Sequence, residues 1–249
     1  MSEWAAKRFW KAASVVEVDD GFGVVLDERP LRTPAKQALV LPTASLAEKI
    51  AAEWEAVAEV IDPNAMPWTR SANSAIDKII QQRKEVEAHL ISYAETDLTC
   101  YRAVGPATLI ARQAATWDPL LDWVSETYDV SFNVTTGVMP VAQPAATATA
   151  LAQAMDEMTV FELTGFHDLV TLSGSYVIAL AVIAARDSRD LLWRASRIDE
   201  DFQIEQWGED EEAAEEATLR QLAFLHAADF FQHAKKRAEP TNCGFEACK

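Results

Sequence analysis

FELTGFHDLVTLSGSYVIALAVIAAR, residues 161–186, is the stretch on which the fold turns. Seventeen consecutive residues in it, 169–185, carry no charge. A helix that is apolar on every side has to be enclosed, by other helices or by lipid. Lipid asks for about 20 apolar residues, and this run is shorter and interrupted by Thr171, Ser173, Gly174 and Ser175. The reading is therefore one central helix inside a helical domain, with small residues where neighbours come close. His167 at its head reads as a core or boundary histidine, with a catalytic base in an interdomain cleft as the alternative.

Outward from that helix the flanking segments are amphipathic. Pro144 opens an alanine-rich helix ending near Met158, and a helix is expected over residues 188–207, with Gly208 separating it from a last helix that reaches about residue 238. Upstream, Asp118-Pro119 has the form of a helix start, aspartate as cap and proline in the first turn. Residues 130–141 read as a loop with a short strand.

The N-terminal part has a different period. Residues 15–18 and 22–26 flank Asp19-Asp20-Gly21, a hairpin signal. Further short strands are expected at 31–33 and 38–41. So few strands need a helix against them, and one follows: Thr43 or Ser45 can cap it, and Leu46, Ile50, Trp54, Val57 and Ile61 recur at helical spacing. The expected fold is a small α+β domain over residues 1–85, an all-α domain over 86–240 built round helix 161–186, and a frayed tail over 241–249.

Composition restricts the function. The 249 residues are 49% hydrophobic and 24% charged, with 22 Lys and Arg against 39 Asp and Glu, a formal charge of −17. That balance disfavours nucleic acid, whose phosphates need a basic face, and anionic membrane surfaces. Three cysteines, Cys100, Cys243 and Cys248, make no even disulfide framework, which fits a reducing compartment. Neither a signal core nor a transit peptide is visible in residues 1–20, so the cytoplasm is the expected location. There is no phosphate loop, dinucleotide fingerprint, nucleophile elbow, HExxH or CxxC. No catalytic residue, metal site or cofactor is therefore expected. His226 and His233, two turns apart with Asp229 nearby, read as solvated or boundary residues rather than as a metal site. Asp97 reads as an ion-pair or helix-end residue, with a general base in an interdomain acidic site as the alternative, which would make the protein a small enzyme.

Two features exceed background. In MPWTRSANSAID, residues 66–77, Arg70, Asn73 and Asp77 recur at three- and four-residue spacing and form a polar stripe. In DEDFQIEQWGEDEEAAEE, residues 199–216, ten acidic residues stand without a basic one, around Phe202 and Trp207. That run reads as a solvated face or as an acidic, aromatic binding surface.

In order along the chain, Glu53-Trp54, Met66-Pro67-x-Thr69-Arg70-x-Ala72-Asn73-x-Ala75-Ile76-Asp77, Glu95-Thr96-Asp97-Leu98-x-Cys100-Tyr101-Arg102, Trp117-x-Pro119-Leu120, and Asp199-Glu200-x-Phe202-Gln203 with Trp207-Gly208 resemble one family. It is the family of assembly chaperones that handle the alpha subunit of the F1 sector of F-type ATP synthase, the mitochondrial F1-ATPase assembly factor 2 type. The resemblance runs over residues 7–238. It implies a small α+β domain before a larger helical one, and ATP-independent binding of the free alpha subunit until the beta subunit displaces the chaperone. It also implies a bacterial member that is soluble and monomeric when free, and an acidic residue of functional weight at Asp190. The partner-binding candidates are thus Arg70, Asn73, Asp77, Asp190, Glu200, Phe202 and Trp207. Trp54, Asp97, Arg102 and Trp117 are the structural ones.

Overall fold

A computed structural model describes residues 7–236. Strands β1 (Ala13–Val18) and β2 (Gly21–Leu26) form the hairpin, antiparallel from Ala13↔Leu26 to Val18↔Gly21, and β3 (Arg29–Pro30) adds to the other edge of β2. The segments at 31–33 and 38–41 supply only isolated bridges, Arg32↔Ala38 and Phe22↔Leu41. At Gly21 a Cβ would lie 2.3 Å from the carbonyl oxygen of Leu41, so only glycine lets that chain pass. The sheet covers α1 (Ala44–Ala56), capped by Thr43, whose side chain accepts from the Leu46 amide. Helix α1 stops at Ala56, five residues before the end of the expected stripe.

From α2 (Pro67–Ser74) the chain continues through a π-turn (Ala75–Ile79) into α3 (Ile80–Glu95). Next come β4 (Tyr101–Arg102) and α4 (Ala107–Tyr128), then β5 (Thr135–Thr136), which pairs in parallel with β4. Asp118-Pro119 does not start a helix: α4 runs straight through it. An interior proline costs about 3 kcal/mol, but Trp117, Leu120, Leu121 and Val124 are all buried across that point. Their packing outweighs the lost backbone bond.

The rest is helical: α5 (Ala145–Asp156), α6 (Val160–Ser173), α7 (Tyr176–Ile183), α8 (Arg189–Ala195), α9 (Ile198–Trp207) and α10 (Glu211–Ala234). The expected single helix over 161–186 is corrected here to two. Gly174 at φ 69° ends α6, and Ser175 begins α7 by accepting from the Ile178 amide. The small polar residues of the run are a boundary, not a close-approach surface. Helix α7 is buried from Tyr176 to Val182 and is the innermost element. No helix among the described residues is long and apolar enough to cross a membrane. Likewise the expected helix over 188–207 is two, α8 and α9, turning at Ser196-Arg197.

Two cores result. One joins the sheet to α1 and α2 through Trp10, Leu41, Leu46, Ile50 and Met66. The other gathers Leu90, Trp117, Leu151, Phe166 and Tyr176 round α7. Phe161 of α6 and Phe230 and Ala234 of α10 reach into the first core. These two helices hold the molecule together at their crossing, where Gly165 of α6 leaves room for the backbone of α10: an added Cβ would sit 3.0 Å from Ala227 O and 3.1 Å from Phe231 N. Tail residues 241–249, with Cys243 and Cys248, lie outside the described residues.

Candidate partner-binding site

The motif residues divide by what their side chains touch. Glu53 lies on α1, but its carboxylate accepts from the amides of Trp68 (2.7 Å) and Thr69 (2.8 Å) and from the Thr69 hydroxyl (2.7 Å). Helix α2 has no cap of its own, so Glu53 caps it from another helix. Burial is the largest influence on Glu53 and raises its pKa against these bonds. Half-buried Trp54 donates Nε1–H to Thr69 Oγ1 at 3.1 Å and packs 5.2 Å from Trp10. The first two motif stretches are thus one joint between α1 and α2.

Asp97 is fully buried. Its Oδ1 accepts from the Thr99 amide (2.9 Å), the Thr99 hydroxyl (2.7 Å) and the Ser175 hydroxyl (2.8 Å); its Oδ2 accepts from the Val177 amide (3.0 Å). It caps α7 together with Ser175, and both of its carboxylate oxygens are turned to hydrogen-bond donors inside the fold. Burial raises its pKa. Arg102, also buried, donates to Asp118 Oδ1 (2.7 Å) and to Thr99 O (3.1 Å), and its guanidinium lies 5.3 Å from the Trp117 ring centre. Trp117 Nε1–H reaches Ala195 O at 2.8 Å.

The histidines have packing partners. Trp68 meets His226 and His233 edge-on at 5.0 and 5.2 Å, while Asp229 pairs with Arg189. His167 Nδ1 lies 3.0 Å from Asp168. Among the described residues no group of three His, Cys, Asp or Glu could hold a metal.

The partner-binding candidates fall in separate places. Arg70, Asn73 and Asp77 line a groove of about 530 Å³ with Trp54, Met66 and the turn at Thr33-Pro34. Asp77 is committed there, accepting from Thr33 Oγ1 (2.6 Å) and the Ala35 amide (3.1 Å). Glu200 and Trp207 line a second groove, about 360 Å³, between α9 and α10. Trp207 is 81% exposed, the one exposed indole among the described tryptophans. Phe202 is half-buried under the Arg112 guanidinium, 5.5 Å away. Asp190 is exposed in the first turn of α8, next to exposed Leu191.

Part of the acidic run is structural. Asp199 accepts from Gln113 (2.6 Å), Glu205 forms a two-bond pair with Arg112 (2.8 Å each), and Asp210 caps α10. Glu200, Glu209, Glu211, Glu212, Glu215 and Glu216 are exposed and make no ion pair among the described residues. Sequence reasoning missed Glu53 as a cap, and Arg32 and Lys78 as groove residues. Glu53 and Arg32 carry no local signal, because they meet α2 and its continuation only in the folded chain, whereas Lys78 directly follows Asp77 of the polar stripe.

Comparison with known proteins gives the class, a chaperone. The structure matches Atp12 from Paracoccus denitrificans with a TM-score of 0.90 at 48% identity, over 94% of this chain and 100% of that one. An aspartate-to-lysine mutant of the same protein matches equally, at 47% identity. The Atu1473 protein from Agrobacterium tumefaciens matches with a TM-score of 0.88 at 38% identity, over 92% of this chain and 86% of that one. The family model described as ATP12 chaperone protein matches residues 7–125. The chain belongs to the ATP12 chaperone family, which serves the assembly of ATP synthase.

Proposed function

We propose that this protein binds the unassembled alpha subunit of F-type ATP synthase and covers the surface that the beta subunit later takes. An orphan subunit exposes an apolar interface that aggregates unless it is covered. Binding needs no nucleotide and no cofactor, and takes place in the bacterial cytoplasm with the chaperone as a monomer. The observation that carries this reading is Trp207. A large indole held at 81% exposure beside a groove lined by Glu200, Asp210 and Glu216 with Arg197 and Arg220, and with exposed Glu209 two residues along the chain, is the composition of a protein-contact anchor. The acids steer association and the ring supplies the apolar contact. Asp190 and Leu191 on α8 extend the surface.

The test is mixing purified chaperone with purified alpha or beta subunit and measuring association by light scattering and surface binding. A stable complex with alpha and none with beta is expected. Trp207→Ala should weaken it at least tenfold, about 1.4 kcal/mol, with an unchanged melt. Equal binding of beta, or full affinity in Trp207→Ala, overturns the reading.

A further inference from the structure

The groove beside α2 has a basic rim. In a chain with a formal charge of −17, its rim carries Arg32, Arg70 and Lys78 against a single carboxylate, Asp77. Asp77 is already engaged by Thr33 and Ala35. Arg70 and Lys78 are exposed and form no ion pair among the described residues. The floor is apolar and adaptable: Trp54, Ile61, Pro63 and Met66. Half-buried Asn73 also lines the groove, and its amide makes no side-chain hydrogen bond among the described residues. Such an amide offers both a donor and an acceptor, the pair an extended peptide backbone requires.

We infer that this groove is a second client subsite, taking an extended polypeptide segment in which an acidic side chain stands next to a large apolar one. Its volume of about 530 Å³ is within the range of roughly 300–1,000 Å³ typical of ligand sites. The apolar side chain lies on Trp54 and Met66, the backbone bonds Asn73, and the carboxylate meets Arg70 and Lys78. The acidic α9–α10 surface would repel that segment, so two surfaces of opposite sign orient one client on the chaperone. The identity of the client rests on the reading given under Proposed function; the chemistry of the groove does not.

The test has two arms. In the first, a fluorescent octapeptide of alternating leucine and glutamate is titrated into the full-length protein, with a leucine–lysine peptide as control. Saturable binding of the acidic peptide alone is expected, reduced at least tenfold in Arg70→Gln/Lys78→Glu and weakened by salt. Arg70 helps to keep Glu53 ionised, so Lys78→Glu alone is the second variant, and it should reduce affinity about threefold with an unchanged melt. Absence of binding, equal binding of the basic peptide, or binding unaffected by both variants overturns the proposal. In the second arm the same variants and Trp207→Ala are compared for binding to alpha subunit. Multiplying losses are expected for two independent contacts. A wild-type protein that binds the acidic peptide but not alpha refutes the client and leaves the groove standing. One that binds alpha with full affinity when Lys78 is reversed refutes the groove as a client subsite.

Discussion

Replacing Asp97 by alanine removes the acceptor for four donors at once. The Thr99 and Val177 amides, at 2.9 and 3.0 Å, have no substitute, and a buried orphan amide costs about 1–3 kcal/mol. The Thr99 and Ser175 hydroxyls can rotate, so each loses only about 0.5–1.5 kcal/mol. Against this, a fully buried carboxylate is itself unfavourable, as its raised pKa shows, and losing it returns part of the sum. A net destabilisation of about 3–5 kcal/mol remains, carried mainly by the two orphaned amides. For a chain of this size that lowers the melting temperature by roughly 6–20 °C. Asp97→Asn keeps an oxygen for the three donors on Oδ1 but sets an NH2 against the Val177 amide, and should lose about half as much. Thermal melts followed by circular dichroism, with amide exchange at Val177 as the local readout, measure both. An alanine variant within about 1 kcal/mol of wild type refutes the capping role. An asparagine variant as damaged as alanine would show that charge, not hydrogen-bond geometry, is what matters.

Gly165→Ala should destabilise although alanine is the better helix former by about 1 kcal/mol: the new methyl meets backbone atoms of α10 at 3.0–3.1 Å, and overpacking costs about 1–3 kcal/mol. A urea midpoint above wild type would mean that α10 can shift freely. His226 is held below its ordinary pKa of 6.5 mainly by burial, with Arg70 adding to this and Asp168 and Asp229 opposing. Its neutral form is therefore favoured in the fold, giving stability that is present above pH 6.5 and lost as pH falls through the lower, folded pKa. The melting temperature of wild type should drop more steeply than that of His226→Gln between about pH 7 and about pH 5; parallel curves would contradict this.

The identity of each secondary-structure element was largely legible, because periodicity and caps are local. Leu46, Ile50 and Trp54 declare a helix whatever surrounds them, and Asp19-Asp20-Gly21 declares a hairpin. Boundaries were less legible where local and tertiary preferences conflict. Asp118-Pro119 reads as a helix start, yet the buried flanks of α4 carry the helix through it. Gly174-Ser175 reads as part of a uniformly apolar run, yet Asp97, far upstream, supplies the acceptors that let α7 begin there.

The sequence alone determined that this protein is a mainly helical chain with a small α+β beginning and, through its ordered motifs, the family to which it belongs. Composition and motif order survive in one dimension. Only the tertiary structure decided what the motif residues do. It made Glu53 the cap of a helix it does not belong to, and it spent Asp77, Asp97 and Asp199 on internal hydrogen bonds. It also left Trp207 outside and brought Arg32 to the same groove as Arg70 and Lys78. A side chain's role is set by which groups lie within about 3 Å of it and by how much water is excluded, and both depend on segments that approach one another only when the chain is folded.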